Sequence, residues 1–223
     1  MSNSMRWHSE RAVVVHHRAR LVAWAVVCVP ALAGMAMAWA QPPAAAQAAT
    51  AAPAAPVAAQ TLVPAQSEVT FVARQLGVPI QGRFQRFAVR SQFDPKAPQR
   101  SQVGIDIELG SVNMNPDADA ELPKPEWFHA ARFPKASFQS TSIRATGPGR
   151  FEATGQLTIK GQARPVVVPV QITQSQGLST ASGQFKLKRL DFKVGDGDWR
   201  DTSVVADEVE VRFKFVLRNL PPL

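Results

Sequence analysis

The chain alternates apolar and polar residues over most of its length after Ser67, which is the pattern of β-strands with one buried face. Residues 102–109 show it most clearly, because aliphatic side chains at the odd positions alternate with polar residues or glycine. The same period recurs in eight segments joined by short turns. The eight segments are residues 69–73, 87–93, 103–109, 135–140, 151–160, 166–172, 183–188 and 209–217.

Eight consecutive strands without long helices between them predict an antiparallel meander. An open sheet of this size would leave two edges exposed, whereas closure into a barrel removes them. We therefore predict an all-β fold, an eight-stranded antiparallel β-barrel. A barrel of this size is either filled by its own side chains or holds one small ligand, and the alternation does not decide between these two states.

Two segments depart from the strand pattern. Phe84 is out of phase with Phe87, which predicts a bulge or a sharp bend within a long strand. Residues 113–132 carry acidic residues, alanines and two prolines before Trp127 and Phe128. They predict short helical segments that lay both aromatic rings over one end of the barrel, either as a lid or as part of the core.

The stretch from Gly183 to Asp201 begins as a strand and ends as a polar turn, so we expect it to close one end of the barrel. Asp196 and Asp198 resemble part of a calcium loop. However, Arg200 stands where a third oxygen ligand is needed, and no bidentate glutamate follows. The sequence therefore predicts no metal site there.

The N-terminal part of the chain is not expected to join the barrel. A basic leader, an uncharged apolar run and small residues at cleavage spacing predict a signal peptide over residues 1–40, with an uncleaved membrane anchor as the alternative. Residues 41–60 are rich in alanine and proline and carry no charge, which predicts a disordered linker. The barrel domain is then expected over residues 61–223.

Charge and residue usage narrow the possible functions. The net charge is +8 and the charges are scattered along the strands, which argues against a nucleic-acid partner. Cys28 lies in the leader, so a disulfide framework or a structural zinc site is not expected in the domain. His129 is the one histidine outside the leader, and a catalytic group of His129 with Ser137 or Ser140 lacks a nucleophile-elbow motif. We therefore expect a protein that is not an enzyme and needs no cofactor.

A family resemblance rests on an ordered set of short motifs. They are Gly82-Arg83-Phe84, Phe93-Asp94-Pro95, Trp127-Phe128, the segment 133–140, the segment 155–161, and Lys188-Arg189-Leu190-Asp191-Phe192 with Val194-Gly195. From about Thr61 to Leu217 the chain resembles the YceI-like family of exported bacterial proteins. The resemblance implies a lipocalin-like barrel in the periplasm. Its interior would bind a polyisoprenoid, an isoprenoid quinone or a fatty-acid derivative, without a known reaction.

The alternation and the resemblance together name the candidate ligand-binding residues. The apolar tunnel is expected to be lined by Phe71, Ile105, Ile107, Phe138, Leu157, Phe185 and Phe213. Trp127, Phe128 and Arg189 are expected at the rim, where Arg189 would contact a ligand head group or form an ion pair with Asp191.

The sequence is compatible with three functional hypotheses. The first is a periplasmic carrier or sequestering protein for an isoprenoid-type or other long-chain lipid, with transient membrane contact. The second is an interaction module with a solid barrel that contacts a membrane protein through its outer face or rim loops. The third is an enzyme that uses His129. An exposed aromatic rim is also compatible with a homodimer.

Overall fold

The computed structural model of the chain describes residues 58–223. The predicted signal peptide, residues 1–40, and all of the predicted linker before residue 58 lie outside the described residues. Between residues 58 and 223, the helices are too short or too polar to cross a bilayer.

The fold is a single antiparallel sheet with short helical segments. Its strands are β1 (Thr61–Leu62), β2 (Glu68–Gln75), β3 (Val78–Phe84), β4 (Phe87–Gln92), β5 (Gln102–Glu108), β6 (Val112–Asn113), β7 (Lys135–Gly147), β8 (Arg150–Ile159), β9 (Gln162–Ser175), β10 (Leu178–Lys188) and β11 (Glu208–Arg218). The one α-helix among the described residues is α1 (Pro116–Glu121). Single 3₁₀ turns span Pro64–Gln66, Pro98–Arg100, Leu109–Ser111, Arg189–Phe192 and Gly197–Arg200.

The predicted all-β barrel is confirmed, but the predicted count of eight strands is wrong, because the sheet has eleven strands within residues 58–223. The three additional strands, β1, β3 and β6, lie outside the eight predicted segments, and each precedes or follows a longer strand along the chain. β1 and β2 are separated by a 3₁₀ turn, β3 and β4 by a corner at Gln85 and Arg86, and β5 and β6 by a second 3₁₀ turn. The two strands of each of these three pairs occupy one place in the barrel wall, so the eleven strands fill eight places. The corner at Gln85 and Arg86 confirms the bend predicted from the phase shift between Phe84 and Phe87.

The barrel closes through these divided strands. The strand order runs from β4 through β5, β7, β8, β9, β10, β11 and β2 to β3 and β6. β3 pairs with β6 over only two residue pairs, Arg83 with Asn113 and Phe84 with Val112. At the other end of the barrel, β1 pairs with β11, and Gln60 forms a bridge to Ser91 of β4. The two edges of the sheet are therefore joined by a few residue pairs at each end of the barrel rather than by one long ladder of hydrogen bonds.

The wall is also incomplete between β9 and β10. These strands pair only where Gln171–Ser175 meets Leu178–Ser182, and β9 continues without this partner over residues 162–170. Pro165 and Pro169 lie in that stretch, and their pairing with β8 shows no register shift. A strand edge without a partner tolerates proline because no N–H is needed there. The 3₁₀ turn at Arg189–Phe192 packs against β9 at this gap.

Two groups of buried apolar side chains fill the barrel unequally. One end holds a cluster of Phe93, Ile143, Phe151, Ala153, Ile172 and Ala181. The other end holds a cluster of Trp127, Leu157, Phe192, Val194 and Val205. The second cluster lies beneath the loop segments rather than between strands alone, and a cavity opens beside it.

Candidate functional site

Two adjoining cavities lie inside the barrel, and the larger of these two lies at the end that carries α1 and the Arg189–Arg200 loop. Its volume is about 580 Å³, and its walls are mostly apolar side chains from β2, β8, β10 and β11. Arg74 and Gln75 of β2 and Asn115, Asp117 and Glu121 beside or within α1 also line it. Four of these five polar residues are exposed, which places them at the mouth. The site is an apolar chamber with a polar opening.

A smaller cavity of about 130 Å³ adjoins the first one. The two share part of their walls, namely Val69, Ile107, Ala136, Leu157, Phe185 and Val211. The smaller cavity is lined almost entirely by apolar residues and extends between the strands of the filled end. An extended apolar molecule would therefore place its polar end at the mouth and its tail toward the smaller cavity.

The residues predicted to bind ligand all line these cavities. Phe71, Trp127, Phe128 and Arg189 line the larger one, Ile105, Phe138 and Phe213 the smaller one, and Ile107, Leu157 and Phe185 both. The strand alternation brings the aliphatic and phenylalanine side chains together, because residues of one phase face the same side of a closed sheet. Contact of these residues with a ligand remains a prediction.

Three phenylalanines of this set lie against glycines of a neighbouring strand. The rings of Phe71, Phe138 and Phe213 cover Gly82, Gly155 and Gly183, in the space that a Cβ would occupy. A Cβ on Gly155 or Gly183 would lie 2.6 Å from the nearest ring atom of its phenylalanine. Each ring can therefore lie flat along the wall rather than project into the barrel. This arrangement leaves space inside a barrel that is lined by large side chains.

Short segments after α1 cover the larger cavity. Asn115 caps the helix by accepting a hydrogen bond from the Ala118 N–H at 2.9 Å. Beyond the helix, the Phe128 N–H donates to the Leu122 carbonyl at 2.9 Å, which folds the aromatic residues back over the barrel. Trp127 packs on Trp199 at 5.3 Å between ring centroids. The predicted helical cover is confirmed, and its rings both cap the core and line the cavity.

Arg189 does not have the role expected from the sequence. Its side chain is only 3% exposed, and its guanidinium donates to five backbone carbonyls, none of which belongs to Asp191. The acceptors are Val194, Gly195, Trp199, Val205 and Ala206, at 2.6 to 3.2 Å. All five N–H groups of a guanidinium are thereby used. Arg189 consequently holds the loop in place and has no donor left for a head group or an ion pair with Asp191.

The position of Arg189 also affects its pKa. Burial lowers the pKa of Arg189 from its ordinary value, and the carboxylates of Asp207 and Asp196 oppose that effect. Lys160 also stabilises this loop, because its Nζ donates a hydrogen bond to the Lys193 carbonyl at 2.7 Å. Burial lowers the pKa of Lys160 as well, against the charges of Asp196 and Glu126.

The polar residues at the mouth were not identified from the sequence. Arg74 lies on the polar side of the predicted alternation, Gln75 lies just beyond the predicted strand, and Asn115 falls in a segment predicted only to be helical. The β2–β3 hairpin and α1 meet at one end of the closed barrel, so their polar residues surround the opening. No local pattern signals this neighbourhood, because it depends on where the barrel closes.

The structure offers little support for the alternative chemistries. His129 packs its ring edge-on against Phe133 at 5.8 Å, and its imidazole has no hydrogen bond to Ser137 or Ser140. Asp196 lies 4.0 Å from Arg200, and Asp201 accepts hydrogen bonds from Ser203. Within residues 58–223, no three His, Cys, Asp or Glu side chains gather as metal ligands would. Asp196 and Asp201 therefore serve local structure.

The sequence model of the YceI-like domain matches residues 60–217, which is more than half of the chain. A UPF0312 protein of Azotobacter vinelandii is 31% identical over 152 residues, covering 64% of this chain and 77% of that protein.

Solved structures share the same fold. BcnA of Burkholderia cenocepacia is 36% identical, with a TM-score of 0.68, over 70% of this chain and 99% of that one. A polyisoprenoid binding domain from Saccharophagus degradans, implicated in plant cell wall breakdown, is 16% identical, with a TM-score of 0.57, over 73% and 98% of the two chains. At 16% identity, this second likeness concerns the fold alone.

Proposed function

This chain belongs to the YceI-like domain family, and from that premise we propose that its barrel binds a long apolar lipid of the isoprenoid or acyl type and carries or sequesters it in the periplasm. The observation that supports this function is the apolar chamber of about 580 Å³ with its narrower extension. Removing apolar surface from water is favourable by about 25 cal/mol per Å², so a lipid tail gains free energy along the whole tunnel.

The polar end of such a ligand would lie at the mouth. Arg74, Gln75 and Asn115 offer hydrogen-bond donors there, whereas the guanidinium of Arg189 is fully used by the loop. Aromatic rings of Trp127 and Phe128 cover the first part of the tail. This arrangement requires binding and release only, so we propose a binding protein rather than an enzyme. The Saccharophagus degradans domain, which shares the fold, is itself described as polyisoprenoid binding.

Mass spectrometry of an organic extract tests the proposal directly. Protein purified from its own host is expected to release a long-chain lipid, and ligand-free protein is expected to bind a fluorescent prenyl or acyl probe. Ile107→Lys places a charge on the wall shared by both cavities and should abolish probe binding. Ile107→Met, which keeps the wall apolar, serves as the matched control. Clean protein that binds neither probe would refute the proposal.

The interaction-module hypothesis predicts a filled barrel. The open chamber counts against it, because side chains that only stabilise a core pack without voids of this size. Under that hypothesis Ile107→Lys would mainly unfold the protein, which circular dichroism would detect.

A further inference from the structure

The tip of the β2–β3 hairpin exposes two apolar side chains beside the cavity mouth. Leu76 is 71% exposed and Val78 is 61% exposed, and they are the two most exposed large apolar residues of the described chain. Both arms of the hairpin line the cavity, through Gln75 on one side and Ile80 on the other. The tip between them therefore extends past the wall at the opening.

Leucine is an unusual residue at position 76, given the backbone conformation of the hairpin tip. Leu76 has φ 48° and Gly77 has φ 81°, a pair of positive φ values as in a type I′ turn. Such turns favour Asn, Asp or Gly at the first position, because other side chains are strained there. Leu76 is thus both conformationally disfavoured and exposed to water.

Two other hairpins of the same chain provide a comparison. Lys160-Gly161 and Gln176-Gly177 have closely similar φ values, 49° and 72° in the first and 52° and 76° in the second. Both place a polar side chain where the β2–β3 hairpin places Leu76. Ile159 and the Lys160–Gly161 turn lie at the cavity end, whereas Gln176–Gly177 lies at the opposite end, where β10 begins beside Leu217. Of these three similar turns, one carries an apolar residue, and it borders the mouth.

The tip is held firmly and carries a positive charge. The Leu76 N–H donates to the Val204 carbonyl at 2.8 Å, and Gln75 bridges to Val205. Arg74 is exposed and forms no ion pair among residues 58–223, and its guanidinium reaches the Gly77 carbonyl at 3.4 Å. A rigid hairpin tip with two exposed apolar side chains and an adjacent arginine fits the interface of a phospholipid bilayer. The side chains of Leu76 and Val78 would lie below the lipid phosphates, and the guanidinium of Arg74 would lie at the level of the phosphates.

We infer that the β2–β3 hairpin tip, with Leu76, Val78 and Arg74, docks this protein on a phospholipid membrane so that the cavity mouth faces the bilayer. The inference rests on the proposed function, because an apolar ligand that enters at the mouth would then move from the bilayer without crossing water. It assigns to the tip a role in ligand transfer that is separate from binding inside the barrel.

Flotation of the full chain with vesicles of phosphatidylethanolamine and phosphatidylglycerol tests the docking. The double variant Leu76→Asn/Val78→Thr should associate with these vesicles about tenfold more weakly than the unaltered chain, since burial of two aliphatic side chains is lost. Arg74→Gln should weaken association with the anionic vesicles and not with vesicles of phosphatidylcholine alone. Gln176→Leu places leucine on the same kind of turn at the far end and should not increase transfer of ligand. All of these variants contain residues 1–57, so a difference in vesicle association between a variant and the unaltered chain reports on the substituted residues.

A second measurement separates docking from binding. The double variant should bind a prenyl probe delivered in solution as tightly as the unaltered chain, yet accept it from vesicles about tenfold more slowly. Asn suits the positive φ at residue 76, so the variant should be at least as stable in urea. Equal vesicle association of variant and unaltered chain, or none by either, would overturn the docking inference and leave the proposed function standing. A dimer that only the unaltered chain forms would also overturn it, while loss of probe binding by both proteins would refute the proposed function itself.

Discussion

The ring of Phe71 lies over Gly82, its register partner on the neighbouring strand, in the space where any other residue would carry a Cβ. Phe71 also lines the larger cavity. The glycine therefore decides the direction of the ring, and the ring in turn sets the width of the chamber.

Gly82→Ala is expected to push the Phe71 ring away from the wall and into the cavity. We expect about a tenfold loss of affinity for a prenyl or acyl probe, which corresponds to overpacking by about 1.4 kcal/mol. Fluorescence titration of the probe measures the effect. The double variant Phe71→Ala/Gly82→Ala should recover most of the affinity, because the displaced ring is gone. If the double variant binds no better than Gly82→Ala alone, the ring is not the cause.

Replacing Arg189 should loosen the loop that covers the gap beside β9. Arg189→Met leaves five carbonyls without their donor, and we expect a loss of about 3 kcal/mol in the free energy of unfolding. Urea denaturation measures it. Arg200→Met is the matched control, since that arginine side chain is 70% exposed in the same loop and should change stability by less than about 0.5 kcal/mol. Equal effects of the two substitutions would contradict the role given to Arg189.

Asp106 gives a stability contribution that depends on pH. Its hydrogen bond with Arg90 lowers the pKa of Asp106 below the ordinary value of 3.8, and the charges of Arg90 and Lys135 act in the same direction against partial burial. Since the folded pKa lies below the unfolded one, the contribution is complete above the unfolded value and is lost as pH falls through the folded one. The difference in unfolding free energy between the unaltered chain and Asp106→Asn should therefore be constant at neutral pH and shrink below about pH 4.

Urea unfolding at pH 6 and at pH 3 measures this difference. Asp198→Asn, an exposed aspartate outside the ion pairs of the described chain, controls for the change in net charge. A difference that grows in acid would show that the ion pair with Arg90 does not act as described.

Gln60 is part of the folded domain although it is the last residue of the predicted linker. Its Oε1 accepts hydrogen bonds from the Ser91 hydroxyl at 2.7 Å and the Phe93 N–H at 2.8 Å, and its side chain is buried. Gln60→Ala would leave these groups unsatisfied and should cost about 1 to 3 kcal/mol in thermal or urea unfolding. Gln66→Ala, at an exposed position nearby, should be almost neutral, and a similar loss in both would argue against this role.

The ligand-lining side chains were accessible to sequence reasoning because strand orientation is a local property. Successive residues of a strand face opposite sides, so the positions of Ile105 and Ile107 within the barrel follow from alternation alone. The outcome was different for Arg189. Its five acceptors come from residues 194–206, and only the curvature of that loop brings them around one guanidinium.

The sequence by itself determined the all-β class, the closed barrel, its inward-facing residues and the family, since each depends on local periodicity or on ordered motifs. Tertiary structure decided that three wall positions are each shared by two strands and that one end of the barrel is filled while the other is open. It also placed Leu76 and Arg74 at the opening. These features depend on how volumes and distant segments meet in three dimensions, and a pattern with a period of two residues carries no information about either.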